Sequence, residues 1–159
     1  TLTEPAVLFV CLGNICRSPT AEGVVSNIIV NNRLEELIKV DSAGTHGYHI
    51  DEPPDRRTRE AALRRGVDLS GLRARKVVPE DFERFDLLLA MDRDNLALLK
   101  RGARPEHHAK LGLFMRYASR FEVEEVPDPY YGGEEGFELV LDMVEDAGQG
   151  LIRALQRTP

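Results

Sequence analysis

Apolar residues fall in short runs along this chain, and the period of each run predicts an element. Residues 6–11 (AVLFVC) are apolar without interruption. A strand with one wet face would alternate, so an unbroken run predicts a strand covered on both sides. Ser18 as a hydroxyl cap, Pro19 at the first helical position and an acid in the first turn open a helix that Val24, Val25, Ile28 and Ile29 carry to about residue 32. A second strand is predicted over residues 39–44. Residues 55–65 read as a charged surface helix stopped by Gly66. Residues 85–91 form a third buried strand, 92–100 a helix ended by Gly102, and 109–114 a fourth, less apolar strand. From Phe137 on, Val140, Leu141, Val144, Ile152 and Leu155 mark one long amphipathic helix.

Strands alternating with helices predict an α/β fold: an open parallel sheet of about four strands with helices on both faces, a three-layer sandwich of Rossmann-like or flavodoxin-like type. With 159 residues and no linker, repeat or low-complexity stretch, one domain over 1–159 is expected. Hydrophobic residues make up 42% of the chain, enough for a core of its own. The net charge of −6 argues against a binder of nucleic-acid backbones. No run approaches a membrane span, and residues 1–5 lack the basic and apolar regions of a signal peptide, so a cytoplasmic protein is expected. The pattern leaves a monomer or a weak dimer. The only two cysteines, Cys11 and Cys16, are too close together to staple a fold, so chemistry is the better reading for at least one.

That chemistry belongs to the segment joining the first strand to the first helix. Loops beyond the carboxyl ends of parallel strands collect ligands, and a tight loop leading into a helix N-terminus presents backbone N–H groups and a positive dipole end to an anion. Residues Leu12, Gly13, Asn14, Ile15, Cys16 and Arg17 thus read as a phosphate cradle. Gly13 supplies backbone angles closed to other residues, and Arg17 grips two oxygens with its planar fork. The same positive field favours the thiolate of Cys11, which becomes a nucleophile beneath phosphorus.

The stretch VLFVCLGNICRSPTAE, residues 7–22, resembles the signature of the low-molecular-weight protein tyrosine phosphatases. Similar landmarks follow in order: Ser42 to Thr45, Pro53 to Arg56, Ala74 and Arg75, Asp81 and Phe82, Phe85 and Asp86, Met91 to Asn95, and Asp128 to Gly132. The resemblance implies hydrolysis of phosphotyrosine in proteins, or of small aryl phosphates, through a phosphocysteine on Cys11. Arg17 would clamp phosphate, Asp128 would act as general acid, Ser18 would assist the thiolate as leaving group, and Asn14 with Ser42 would support the loop. Inorganic phosphate would be product and inhibitor. Tyr48, Tyr130 and Tyr131 are expected as walls of the substrate cleft. Cys16 would trap oxidised Cys11 as a disulfide. No cofactor is expected, and no metal: His46, His49, His107 and His108 show no ligand spacing.

Three positions depart from the resemblance. Leu72 replaces a histidine in the bracing network and is expected to loosen the hold on Asn14, Lys76 replaces a common glutamine, and Asp51 stands where glycine is usual. Alternatives on the same fold are an arsenate reductase, which would need cysteines after Cys16, and a protein-arginine phosphatase, whose resemblance implies threonine in place of Ile15. A noncatalytic phosphate-binding module is disfavoured by nucleophile, clamp and acid occurring together.

Overall fold

The computed structural model describes residues 4–130 and 132–157. Its centre is a four-stranded parallel sheet in the order β2-β1-β3-β4, made of β1 (Ala6–Cys11), β2 (Lys39–Gly44), β3 (Leu87–Ala90) and β4 (Leu111–Leu113). The unbroken apolar run of β1 now has its reason. Val7, Phe9 and Cys11 enter one core, Leu8 and Val10 enter another, and none is more than 2% exposed. The first core is closed by α1 (Arg17–Asn31), α2 (Arg56–Arg64) and α5 (Glu134–Arg157), the second by α3 (Asp81–Arg84) and α4 (Arg93–Gly102). The chain leaves β1 for β2 on one side and later enters β3 on the other. The carboxyl ends of β1 and β3 therefore flank the crevice where such sheets bind ligands.

Several boundaries differ from the sequence reading. Helix α1 starts at Arg17 with Cys16 in the capping position and no side-chain cap, so Ser18 lies inside the helix. β3 is shorter than residues 85–91. Phe85 ends α3, and Asp86 is drawn to Ala6, donating its N–H to the Ala6 carbonyl at 2.8 Å and accepting the Ala6 N–H at 2.8 Å. The fourth strand is trimmed by 3₁₀ turns at Pro105–Lys110 and Phe114–Tyr117. Asp51 holds a left-handed φ of 69°, which a glycine would adopt at lower cost.

The segment after β4 is fastened to α5 in two ways. The Asp146 carboxylate accepts the N–H groups of Ser119, Arg120 and Phe121. Gly150 lets the helix pass against the Tyr117 carbonyl so closely that a Cβ would stand 1.8 Å from that oxygen. Alanine would gain roughly 0.5–1 kcal/mol in helix propensity, yet forced overpacking typically costs about 1–3 kcal/mol. Gly150→Ala is thus expected to lower stability by about 1–2 kcal/mol in urea unfolding, and a gain in stability would contradict this packing.

A second consequence concerns Glu22 on α1, whose carboxylate accepts the Ser42 hydroxyl at 2.7 Å. Burial pushes its pKa up to about 7, with Asp41 adding while the Ser42 hydrogen bond and Arg75 oppose. The unfolded chain, with an ordinary carboxyl near 4.5, loses its proton first. The protonated group's contribution is therefore complete below about pH 4.5 and lost as pH rises through about 7. Relative to Glu22→Gln, the wild type is expected to lose up to about 3 kcal/mol across that window. Urea unfolding at several pH values checks this; parallel stability curves would contradict it.

Candidate active site

The floor of the site is the turn from β1 into α1. Its carbonyls are engaged from outside: Thr45 N–H donates to Cys11 at 2.9 Å, His46 N–H to Leu12 at 3.0 Å and Asp55 N–H to Ile15 at 2.8 Å. In a planar trans peptide the next N–H points the opposite way. The N–H groups of Leu12, Gly13 and Cys16 are thereby turned away from those partners, an arrangement suited to an anion bound at the loop.

The residue that bends this loop is Asn14, with φ 59°. Gly13 has no such angle, which corrects the role expected of it; what Gly13 supplies is room, since a Cβ there would lie 3.1 Å from the His49 ring. Asn14 holds its left-handed turn through its side chain. Nδ2 donates to Ser18 Oγ at 2.8 Å and Ser42 Oγ at 3.0 Å, while Oδ1 accepts the Arg75 N–H at 3.0 Å. Leu72 packs against the first core, and the three bonds to the Asn14 amide come from Ser18, Ser42 and the Arg75 backbone. Ser18 has a different part from the cap read in the sequence. Its oxygen accepts from Asn14 and lies 3.0 Å from the Cys11 sulfur, where its O–H can donate to a thiolate.

Arg17 is 3% exposed, and a buried guanidinium is tolerated only with partners. Nη1 donates to Asp92 Oδ2 at 2.6 Å and to the Val126 carbonyl at 3.0 Å, while Nη2 lies 3.7 Å from Asp128 Oδ2. Burial opposes the charge, but the Cys11 sulfur, Asp92 and Asp128 outweigh it and hold the pKa above the usual arginine value. Asp92 is a site residue that the sequence hid. Its cap on α4, an acceptor for Asn95 N–H at 2.8 Å, already explained an aspartate there, and only the fold shows its other oxygen on Arg17.

Cys11, Leu12, Gly13, Ile15, Cys16 and Arg17 line the base of a cleft of about 290 Å³, with Tyr48, His49, Asp128 and Tyr130 around it. Asp128 is thus brought to the same cavity as Cys11 from 117 positions away in sequence. Tyr48 is 67% exposed at the rim and stacks on His46, ring centroids 5.0 Å apart. Tyr131 lies outside the described residues. His49, read from sequence as a plain loop residue, lines the cavity with Nδ1 3.0 Å from Glu52 Oε2. Burial pushes the Cys16 thiol up to about 12, so it stays protonated beside the loop. Among the described residues no three His, Cys, Asp or Glu side chains converge on a metal-binding cluster.

Comparison with known proteins covers nearly the whole chain. The family model described as low molecular weight phosphotyrosine protein phosphatase matches residues 6–159. A Synechocystis protein whose description places it among the low molecular weight protein-tyrosine-phosphatases is 48% identical over 150 residues, covering 94% of this chain and 95% of its own length. The human low molecular weight phosphotyrosine protein phosphatase is 42% identical over 137 residues, covering 85% of each chain. A crystal structure of a protein tyrosine phosphatase from Entamoeba histolytica, with Hepes in its active site, superposes with a TM-score of 0.94 at 42% identity over 96% of this chain and 97% of that one. The chain belongs to the low-molecular-weight phosphotyrosine protein phosphatase family.

Proposed function

We propose that this protein hydrolyses phosphotyrosine, in proteins or as small aryl phosphates, through a phosphocysteine on Cys11. The observation that carries the reading is the convergence of Cys11, Arg17 and Asp128 on one cleft, with the Ser18 hydroxyl 3.0 Å from the sulfur.

In the first step the Cys11 thiolate attacks phosphorus, forming the S–P bond as the P–O bond to the phenol breaks. A phenolate is a basic leaving group, with a phenol pKa of about 10, so a proton delivered as the bond breaks speeds departure. Asp128 in its protonated form supplies it. The equatorial oxygens lie among the loop N–H groups and the Arg17 edge left beside Nη1, which Asp92 and Val126 hold fixed. In the second step the Asp128 carboxylate takes a proton from water as its oxygen attacks phosphorus. Cys11 leaves as a thiolate, stabilised by the Ser18 O–H, and inorganic phosphate is released. Tyr48 and Tyr130 offer ring faces to an aromatic substrate, and Ile15 adds an apolar contact at the base.

Quenched reactions with labelled phosphotyrosine peptide test this directly. The wild type is expected to trap a phosphoenzyme and Cys11→Ser to trap none. Asp128→Asn should turn over roughly 10²–10³-fold more slowly, and Arg17→Lys, which loses the planar fork, should fall by a similar factor. Full hydrolysis by Cys11→Ser would overturn the reading. Preference for a phosphoarginine peptide, or thiol-dependent arsenate reduction without phosphotyrosine turnover, would replace it with another activity on this fold.

A further inference from the structure

The side chain of Asp128 is 39% exposed, on a segment bounded by Pro127 and Pro129. A carboxyl at the edge of a cleft must be held within a fraction of an ångström to transfer a proton well, and neighbouring prolines stiffen a loop without anchoring it. Within the loop, Tyr130 N–H donates to Asp128 Oδ1 at 3.1 Å. This turn is in its own right a local feature that could move as a unit.

The anchor to the rest of the molecule runs through Arg57, on the first turn of α2. Its Nη2 donates to the Tyr130 carbonyl at 2.7 Å. Its guanidinium carbon lies 5.5 Å from the Tyr130 ring centroid and 4.8 Å from that of Phe137 on α5. Asp55 holds the other side of the fork, accepting from Nε and Nη2 at 3.3 Å each. Asp55 is also the residue whose N–H secures the Ile15 carbonyl of the phosphate loop at 2.8 Å. Two residues of the first turn of α2 therefore reference the loop carrying Asp128 to the loop carrying Cys11.

We infer that Arg57 is a positioning residue for the general acid: by clamping the Tyr130 carbonyl from the Asp55 anchor, it fixes where the Asp128 carboxyl stands over the phosphate loop. The inference rests on the proposed role of Asp128 as acid. Arginine suits the task because one planar group can hydrogen-bond a carbonyl, pair with a carboxylate and stack on a ring at once, whereas lysine offers a point charge. Fold stability alone gives little reason for the arrangement. The Arg57 side chain is 38% exposed, and ion pairs at that exposure contribute little.

A displaced acid leaves a kinetic signature that a general loss of structure does not. Substrates whose leaving group departs unaided tolerate the displacement, while those that need the proton slow down. For Arg57→Ala, kcat/KM is expected to fall roughly 10–100-fold with phosphotyrosine or phenyl phosphate. With a dinitrophenyl phosphate it should fall less than about 3-fold, because that phenol leaves without a proton. Asp128→Asn should show the same graded pattern with a larger amplitude, and the double variant should be no slower than Asp128→Asn alone, since both changes remove one function. Arg57→Gln, a smaller disturbance, should reproduce the gradient, and the Tm of both Arg57 variants should stay within about 4 °C of the wild type. A uniform fall across leaving groups, or full additivity in the double variant, overturns the inference while leaving the Asp128 reading intact. A flat leaving-group series for Asp128→Asn itself overturns the acid assignment and the inference with it.

Discussion

A guanidinium buried at the start of the first helix imposes most of what surrounds it. Arg17 sits where β1 turns into α1, out of contact with bulk water, and such a cation destabilises a fold unless its donors are satisfied. Asp92, at the end of β3, and the Val126 carbonyl, on the segment after β4, meet that demand. Three separate parts of the chain are thereby drawn to the crevice where the strand order reverses, and Asp128, two residues beyond Val126, arrives with them. The same pairing that offsets the burial cost also fixes one end of the guanidinium, so its remaining edge meets an anion without reorganisation.

Around this charge the loop is held mainly through neutral groups. Asn14 bonds Ser18, Ser42 and the Arg75 backbone, which stabilises a backbone angle few residues adopt and holds the Ser18 oxygen 3.0 Å from the Cys11 sulfur. Behind it, Ser42 donates to Glu22, and Arg75 bridges Asp41 and the fully buried Asp81. The loop is thus braced from β2 and from the start of α2, while the cleft's other walls come from the segments after β2 and before α5. A braced floor and proline-restrained backbone at the rim register Cys11 and Asp128 separately against one frame.

The architecture was legible in the sequence because buried parallel strands and amphipathic helices leave strong periodic signals. The run from Ala6 to Cys11 and the helix starts at residues 55 and 92 were read within a residue or two. Cys11, Arg17 and Asp128 could be singled out because they stand in segments that resemble the family's landmarks, and the fold brings all three to one cleft. What stayed hidden were the distant contacts of residues with a sufficient local explanation. Asp92 was a helix cap, Arg57 one charge among many on a surface helix, and His49 a loop residue; their second contacts span 75 and 73 positions for the first two, a separation no local pattern encodes. Ser18 misled for the converse reason. A serine before a proline is a strong cap signal, but the hydroxyl is used by Asn14 and Cys11 instead. Gly13 drew the expectation of an unusual backbone angle that Asn14 takes, because asparagine tolerates that region when its side chain is held.

The central claim is geometric: sulfur below, an oxyanion cradled by the loop and Arg17, and a carboxyl above on the line of attack. A crystal structure of the protein soaked with orthovanadate measures this arrangement directly. The account predicts a five-coordinate vanadate bonded to Cys11 Sγ, its equatorial oxygens on the loop N–H groups and Arg17, and its apical oxygen hydrogen-bonded to Asp128. Vanadate seated elsewhere, or bound in the loop with Asp128 turned away from the apical oxygen, would contradict it.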